Sequence, residues 1–199
     1  MIPTSLKRWL DQNYHDLSSM AGEKYGGYKR YGTQPEPNEY DRIYRAIVER
    51  VGTPMRLIGE GEMGQAYLLD NGMVLKLTTD VTEASAANRL KGKVMEGVAK
   101  IYDSFRLGNH ELFGILQEHV KGTPAPHTDE IERKLQQIKQ RLEEAGIHWS
   151  DPRPENAKVL PNGRLVVFDL AASHGGREPR RLALEHKLIG ILELPSLQY

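Results

Sequence analysis

Apolar and polar positions along this chain change their period several times, and the changes mark out its elements. Residues 5–10 open an amphipathic segment, and Tyr40, Ile43, Tyr44, Ile47 and Val51 recur at three- and four-residue steps, which predicts a helix over 40–51. Between them residues 26–37, rich in Gly, Pro and polar side chains, read as a loop. From residue 55 the period shortens: strands are expected over 55–59, 65–69 and 73–78, the last two joined by an Asp70-Asn71-Gly72 turn. An Ala-rich helix over 82–90, capped by Thr82, comes next, then strands over 98–105 and 112–119. After a break at 122–126, Ile131, Leu135, Ile138 and Leu142 predict a helix over 130–145 that Gly146 ends. Two short strands, 157–160 and 164–168, flank Pro161-Asn162-Gly163, and 181–191 is read as a last helix.

The 199 residues suffice for one moderate domain or two small lobes around a cleft. Lys plus Arg and Asp plus Glu balance at 27 each, so net charge points neither to nucleic acid nor to an anionic membrane. Without Cys there is no disulfide framework, no thiolate nucleophile and no sulfur-ligated zinc. With no apolar run of signal-peptide or membrane-spanning length, the expected location is the cytoplasm.

Gly59-Glu60-Gly61-Glu62-Met63-Gly64 fits G-x-G-x-x-G, and its context sets its meaning. A dinucleotide-binding turn opens a helix, whereas this one runs into a strand and hairpin, the setting of a glycine-rich flap whose amides approach phosphates. Lys76 lies on the next strand among Val74, Leu75 and Leu77, where a phosphate partner would account for a cation. Downstream, Asp151-Pro152-Arg153-Pro154-Glu155-Asn156 is followed by a hairpin and Phe168-Asp169-Leu170-Ala171, with Asp169 18 positions after Asp151.

Over residues 55–173 this series resembles the protein kinases and their aminoglycoside-phosphotransferase relatives, with Arg153 where the family has lysine. The resemblance implies an α+β, two-lobed protein-kinase-like fold with an antiparallel-sheet N-lobe, a strongly reduced helical C-lobe and extra N-terminal helices. It implies an N-terminal extension over 1–52, a nucleotide-binding small lobe over 53–120 and a catalytic large lobe over 121–199. It also implies ATP and magnesium as cofactors. Asp169 and Asn156 would be the metal ligands, Asp151 would take the acceptor's proton or orient its hydroxyl, and Arg153 would hold the transferred phosphate. Lys76 would bind the inner phosphates, steadied by Glu83 or, failing that, Glu96. Gln117 to Gly122 resembles the hinge between lobes, so Glu118 and His119 would meet the base, with Ile58, Ala66, Val74 and Val159 as apolar walls beside Gly59, Gly61 and Gly64.

The pattern departs from the family in places. Trp149 stands where the family has His, and His148 is expected to be a buried or half-exposed structural residue. Lys158 falls where a leucine often floors the base pocket, and its stem would cover the ring. Only 30 residues follow Asp169, too few for an activation segment and a peptide-docking bundle, and His174, Arg177, Arg180 and Arg181 form a basic stretch there. The leading expectation is a minimal protein kinase acting on Ser/Thr or Tyr hydroxyls. A small-molecule kinase, a pseudokinase that uses ATP only to stabilise an interaction surface, and nucleotidyl transfer remain open.

Overall fold

The computed structural model describes residues 2–8, 10, 37–61, 64–107, 112–170 and 196–197. The expected loop at 26–37, the basic stretch at 174–181 and the helix at 181–191 lie outside the described residues. The architecture is α+β. Helical residues 4–8 (α1) and α2 (Pro37–Val51) come first, then β1 (Pro54–Glu60), β2 (Gly64–Leu69), β3 (Val74–Thr78) and α3 (Val81–Leu90). Next are β4 (Ile101–Leu107), β5 (Phe113–Gln117), β6 (Thr123–Pro124) and α4 (Asp129–Glu144). A 3-10 turn (Pro154–Asn156), β7 (Ala157–Val159), β8 (Leu165–Val167) and β9 (Ser196–Leu197) follow.

The first five strands form an antiparallel sheet in the order β1-β2-β3-β5-β4, with β9 added parallel along β4, while β6, β7 and β8 make a second antiparallel sheet. Both faces of the larger sheet are covered. On one, Tyr67, Leu69, Leu75, Leu77, Phe105 and Leu107 pack against Leu6 and Leu10 of the N-terminal segment and Ile43, Ile47 and Val51 of α2. Each such leucine contributes roughly 1.5–3 kcal/mol by leaving water. On the other face, Ala86, Ala87 and Leu90 of α3 join Ile101 and Ile115 to Leu135, Ile138 and Leu142 of α4, with Trp149 and Val167. A strand buried on both sides needs no polar alternation, which is why Phe113-Gly114-Ile115-Leu116-Gln117 is buried throughout.

Ion pairs to Asp103 fasten α2 and the end of α3 to the sheet. Arg50 reaches Asp103 on β4 at 2.8 Å and stands 4.8 Å from the Phe105 ring centroid, while Lys91 meets the other Asp103 oxygen at 2.5 Å.

The chain departs from its sequence pattern in four places. Asp80, not Thr82, caps α3, because its Oδ1 accepts from the Thr82 and Glu83 amides and also from the Thr82 hydroxyl. Strand β4 starts three residues later than expected. Residues 97–99 are committed to β8 instead, the Ala99 amide donating to Val167 O and the Val167 amide to Gly97 O, both at 2.8 Å. Gly97 sits at φ +81°, and a Cβ there would lie 2.8 Å from the Ile138 side chain. The break at 122–126 contains a strand, since Thr123 and Pro124 pair with β7; a proline is tolerated because β6 is an edge. The fourth difference is β9, which local periodicity did not signal.

Candidate active site

Lys76 lies on the central strand β3, opposite Ala66 of β2 and Ile115 of β5. The turn after β3 leads directly into α3, whose Asp80 cap brings Glu83 into the first helical turn and back over that strand. Lys76 Nζ contacts Glu83 Oε1, and Asp169 Oδ2 lies 2.9 Å away on its other side. Two consecutive elements and the distant Asp169 segment thus meet at one ammonium. The side chains are 13% exposed for Lys76, 4% for Glu83 and 29% for Asp169, so the inner pair is dry and the outer carboxylate faces solvent in part.

Two carboxylates sharing one cation in a dry site leave a surplus negative charge. Burial pushes Glu83 up to about 7, against the attraction of Lys76, and the charge of Asp169 adds to the rise. Its second oxygen, Oε2, is buried with no hydrogen-bond partner among the described residues. Burial alone would lower Lys76, but Glu83 and Asp169 outweigh it and hold the ammonium above its ordinary value. The folded state therefore binds a proton at Glu83 that the unfolded state, with a carboxyl of about 4.3, has already released. Stability should fall as pH rises from about 5 to about 7, by roughly 1 kcal/mol per pH unit at the steepest. The Lys76 contribution is constant across that window. Urea midpoints across this range, compared between the parent and Glu83→Gln, test the assignment, and parallel profiles would refute it.

The second cluster is built on the turn after Trp149. That tryptophan is fully buried in the core beneath α4, with Nε1 lacking a partner among the described residues, so the segment is anchored by apolar packing. His148 is exposed, contrary to the buried or half-exposed position expected of it, because Ile147 and Trp149 on either side take the inward positions. Asp151 Oδ2 lies 2.5 Å from Arg153 Nη2, with the carboxylate largely buried and the arginine mostly exposed. Asn156 Nδ2 donates to Asp151 O at 3.1 Å, which leaves the amide oxygen as the atom free to act as a ligand. The Phe168 amide donates to Asn156 O at 3.0 Å, and β7 pairs with β8 from Ala157 opposite Val167, so Asn156 and Asp169 emerge from adjoining ends of one hairpin.

The turn between β1 and β2 and residues 118–122 complete the surroundings. The Gly61 amide donates to Gly64 O at 2.9 Å and closes the turn between β1 and β2. Gly64 must be glycine for internal reasons, since a Cβ would come within 2.2 Å of Leu77 O, whereas the position above Gly61 is open space. Val74 is buried and Ala66 and Val159 are half-buried, but Ile58 is 38% exposed. Residues 118–122 connect the two sheets, and neither Glu118 O nor the Val120 amide has a hydrogen-bond partner among the described residues. His119 is lowered by burial and by Lys158, Lys121 and Arg56 nearby.

Glu96, the fallback partner for Lys76, pairs instead with Arg141 at 3.3 Å on the surface. Two side chains gain roles that the sequence did not show. Gln117 Nε2 donates to Phe168 O at 3.3 Å, linking the end of β5 to the Asp169 segment. Lys158 Nζ donates to Val120 O at 3.2 Å and stands 5.6 Å from the Phe168 ring centroid, so its head is held by the protein itself. A glutamine ending an otherwise apolar strand was the available signal for the first.

The sheet order, the helix between β3 and β4, its carboxylate on the β3 lysine and the Asp169-bearing hairpin define a protein-kinase-like fold. No family model and no curated protein matches the chain. Among solved structures it is similar to the MAP kinase LmaMPK10 from Leishmania major, with 16% identity and a TM-score of 0.45 over 68% of this chain and 50% of that one. It is also similar to the apo form of PpkA-294, with 12% identity and a TM-score of 0.46 over 59% of this chain and 57% of that one. The chain spans about half the length of these structures. Among the described residues no helix is long and apolar enough to cross a membrane.

Proposed function

We propose that this chain is a phosphotransferase that moves the γ-phosphate of ATP to a hydroxyl, most directly one on a protein. The observation that carries this reading is Lys76 held between Glu83 and Asp169, because it assembles a cation for inner phosphates beside a carboxylate suited to magnesium. On this reading residues 53–120 form the nucleotide-binding lobe, 121–199 the reduced catalytic lobe and 1–52 an extension packed on the first. The Glu118 carbonyl and Val120 amide read the base edge next to His119, with Ala66, Val74 and the more exposed Ile58 as walls. The open side of Gly61 admits phosphate to the flap.

A carboxylate from Asp169 and an amide oxygen from Asn156 are hard ligands, and the described residues contain no group of three or more His, Cys, Asp or Glu that could enclose an ion. Such a sparse oxygen set fits magnesium, which keeps water and phosphate in its shell. Bound there, the ion supplies charge neutralisation to the phosphates. The chain's own residues do the rest: Lys76 offsets inner-phosphate charge, and Asp151 accepts the hydroxyl proton or orients the acceptor. Arg153, steadied by Asp151, faces the transferred group.

One observation favours a second reading, an interaction module without turnover: Lys158 already bonds the hinge carbonyl at Val120 and occupies the floor of the base site. Calorimetric titration with ATP and magnesium, followed by mass spectrometry after incubation with cell lysate, separates the two. Added phosphate on protein supports the kinase. ATP binding without transfer points to a small-molecule acceptor or the module, an added nucleotide moiety to reversed transfer, and no ATP binding defeats the nucleotide reading.

A further inference from the structure

A hydrogen-bonded chain runs through the larger sheet from the N-terminal helix to the glycine-rich turn, and neither the site nor the fold accounts for it. Tyr67 is 1% exposed and lies within the apolar cluster under α1 and α2. Its hydroxyl bonds Gln65 Oε1 at 2.5 Å and Ser5 Oγ at 3.3 Å. A phenol has one proton; with that proton on Gln65, its oxygen accepts from Ser5. Burial raises the phenol's pKa and keeps that proton in place. Gln65, itself 4% exposed, then donates from Nε2 to Glu60 Oε1 at 2.8 Å. Glu60 is the last residue of β1, and the next amide, Gly61, closes the turn onto Gly64.

Every link has a direction, and the chain starts in α1 and ends at the hinge point of the flap. A buried glutamine and tyrosine in place of two more leucines need hydrogen-bond partners, and these two β2 residues bond each other and reach α1 through Ser5 and β1 through Glu60. We propose that Tyr67 is a positioning residue: through Gln65 it fixes Glu60, and through Ser5 it makes the closure of the glycine-rich turn depend on the docking of α1. A partner that lifts α1 from the sheet would then loosen the flap without touching the cleft.

The test is hydrogen–deuterium exchange of the full chain, read on segment 59–67 with β5 as internal control, for the parent, Tyr67→Phe and Ser5→Ala. Tyr67→Phe keeps the ring and deletes the relay. Losing a hydrogen bond worth about 1 kcal/mol should speed exchange in 59–67 by roughly 3- to 10-fold while leaving β5 unchanged. Ser5→Ala should shift the same segment less, and the double variant should match Tyr67→Phe alone, since the relay acts as one unit. Unchanged exchange in 59–67, or equal acceleration in β5, overturns the proposal, and Ser5→Ala decides it if Tyr67→Phe fails to fold. The affinity arm rests on the nucleotide reading: ATP should bind Tyr67→Phe about 3- to 10-fold more weakly. A parent that binds no ATP defeats that reading and leaves the exchange result to judge the relay.

Discussion

Asp169→Ala is expected to lower ATP-dependent phosphate transfer by about 10³-fold or more and to leave the chain folded. The carboxylate serves two partners. In the proposed reaction it is the anionic ligand for magnesium, and losing several kcal/mol of charge stabilisation corresponds to that drop in rate. In the fold it is the outer, partly exposed partner of Lys76, and its removal leaves a one-to-one pair between Lys76 and Glu83. That pair has no surplus charge, so Glu83 should titrate closer to an ordinary carboxyl in the variant. Phosphate incorporation followed by mass spectrometry, with circular dichroism for the fold, checks both halves. Undiminished transfer by Asp169→Ala would remove Asp169 from the mechanism.

The largest loss of stability should come from Lys76→Met. It strands Glu83, almost wholly buried, beside Asp169 with no cation between them. Breaking a buried pair from one side costs about 3–5 kcal/mol, because the remaining charge keeps its desolvation penalty. The cost should shrink as pH falls, since Glu83 in the variant escapes by taking a proton. Adding Glu83→Gln should recover most of the loss, because the second change removes the stranded charge. Urea denaturation at pH 8 and pH 6 reads the parent and both variants. A single variant as stable as the parent at pH 8, or a double no better than the single, would show that Lys76 and Glu83 are not the dry pair described.

The sequence made these residues legible because strand and helix periods are local. Val74 to Leu77 reads as a strand and 82–90 as a helix from their own side chains, and a lysine among apolar neighbours is conspicuous. The spacing of Asp151, Asn156 and Asp169 was likewise visible without coordinates. Less legible were choices between equivalent local solutions. Asp80 and Thr82 are both good caps, and only the three bonds to Asp80 Oδ1 decide between them. Least legible were interactions set by distant partners: Val98 belongs to β8 rather than to β4, Gln117 reaches Phe168, and Lys158 reaches the hinge. His148 and Trp149 show the same limit, since which of two neighbouring side chains turns inward depends on the shape of the core that receives it.

The pairing of β9 with β4 has a kinetic consequence. Arg106 and Leu107 take their partners from Ser196 and Leu197, a contact of long sequence separation within a sheet whose other neighbours are nearer in sequence. Loop closure makes such contacts late, so β4 presents an open edge while the other strands have already condensed. During that interval a second chain can occupy the edge in place of residues 196–197. Yield on refolding should therefore depend on protein concentration, through a competition decided at a two-residue strand.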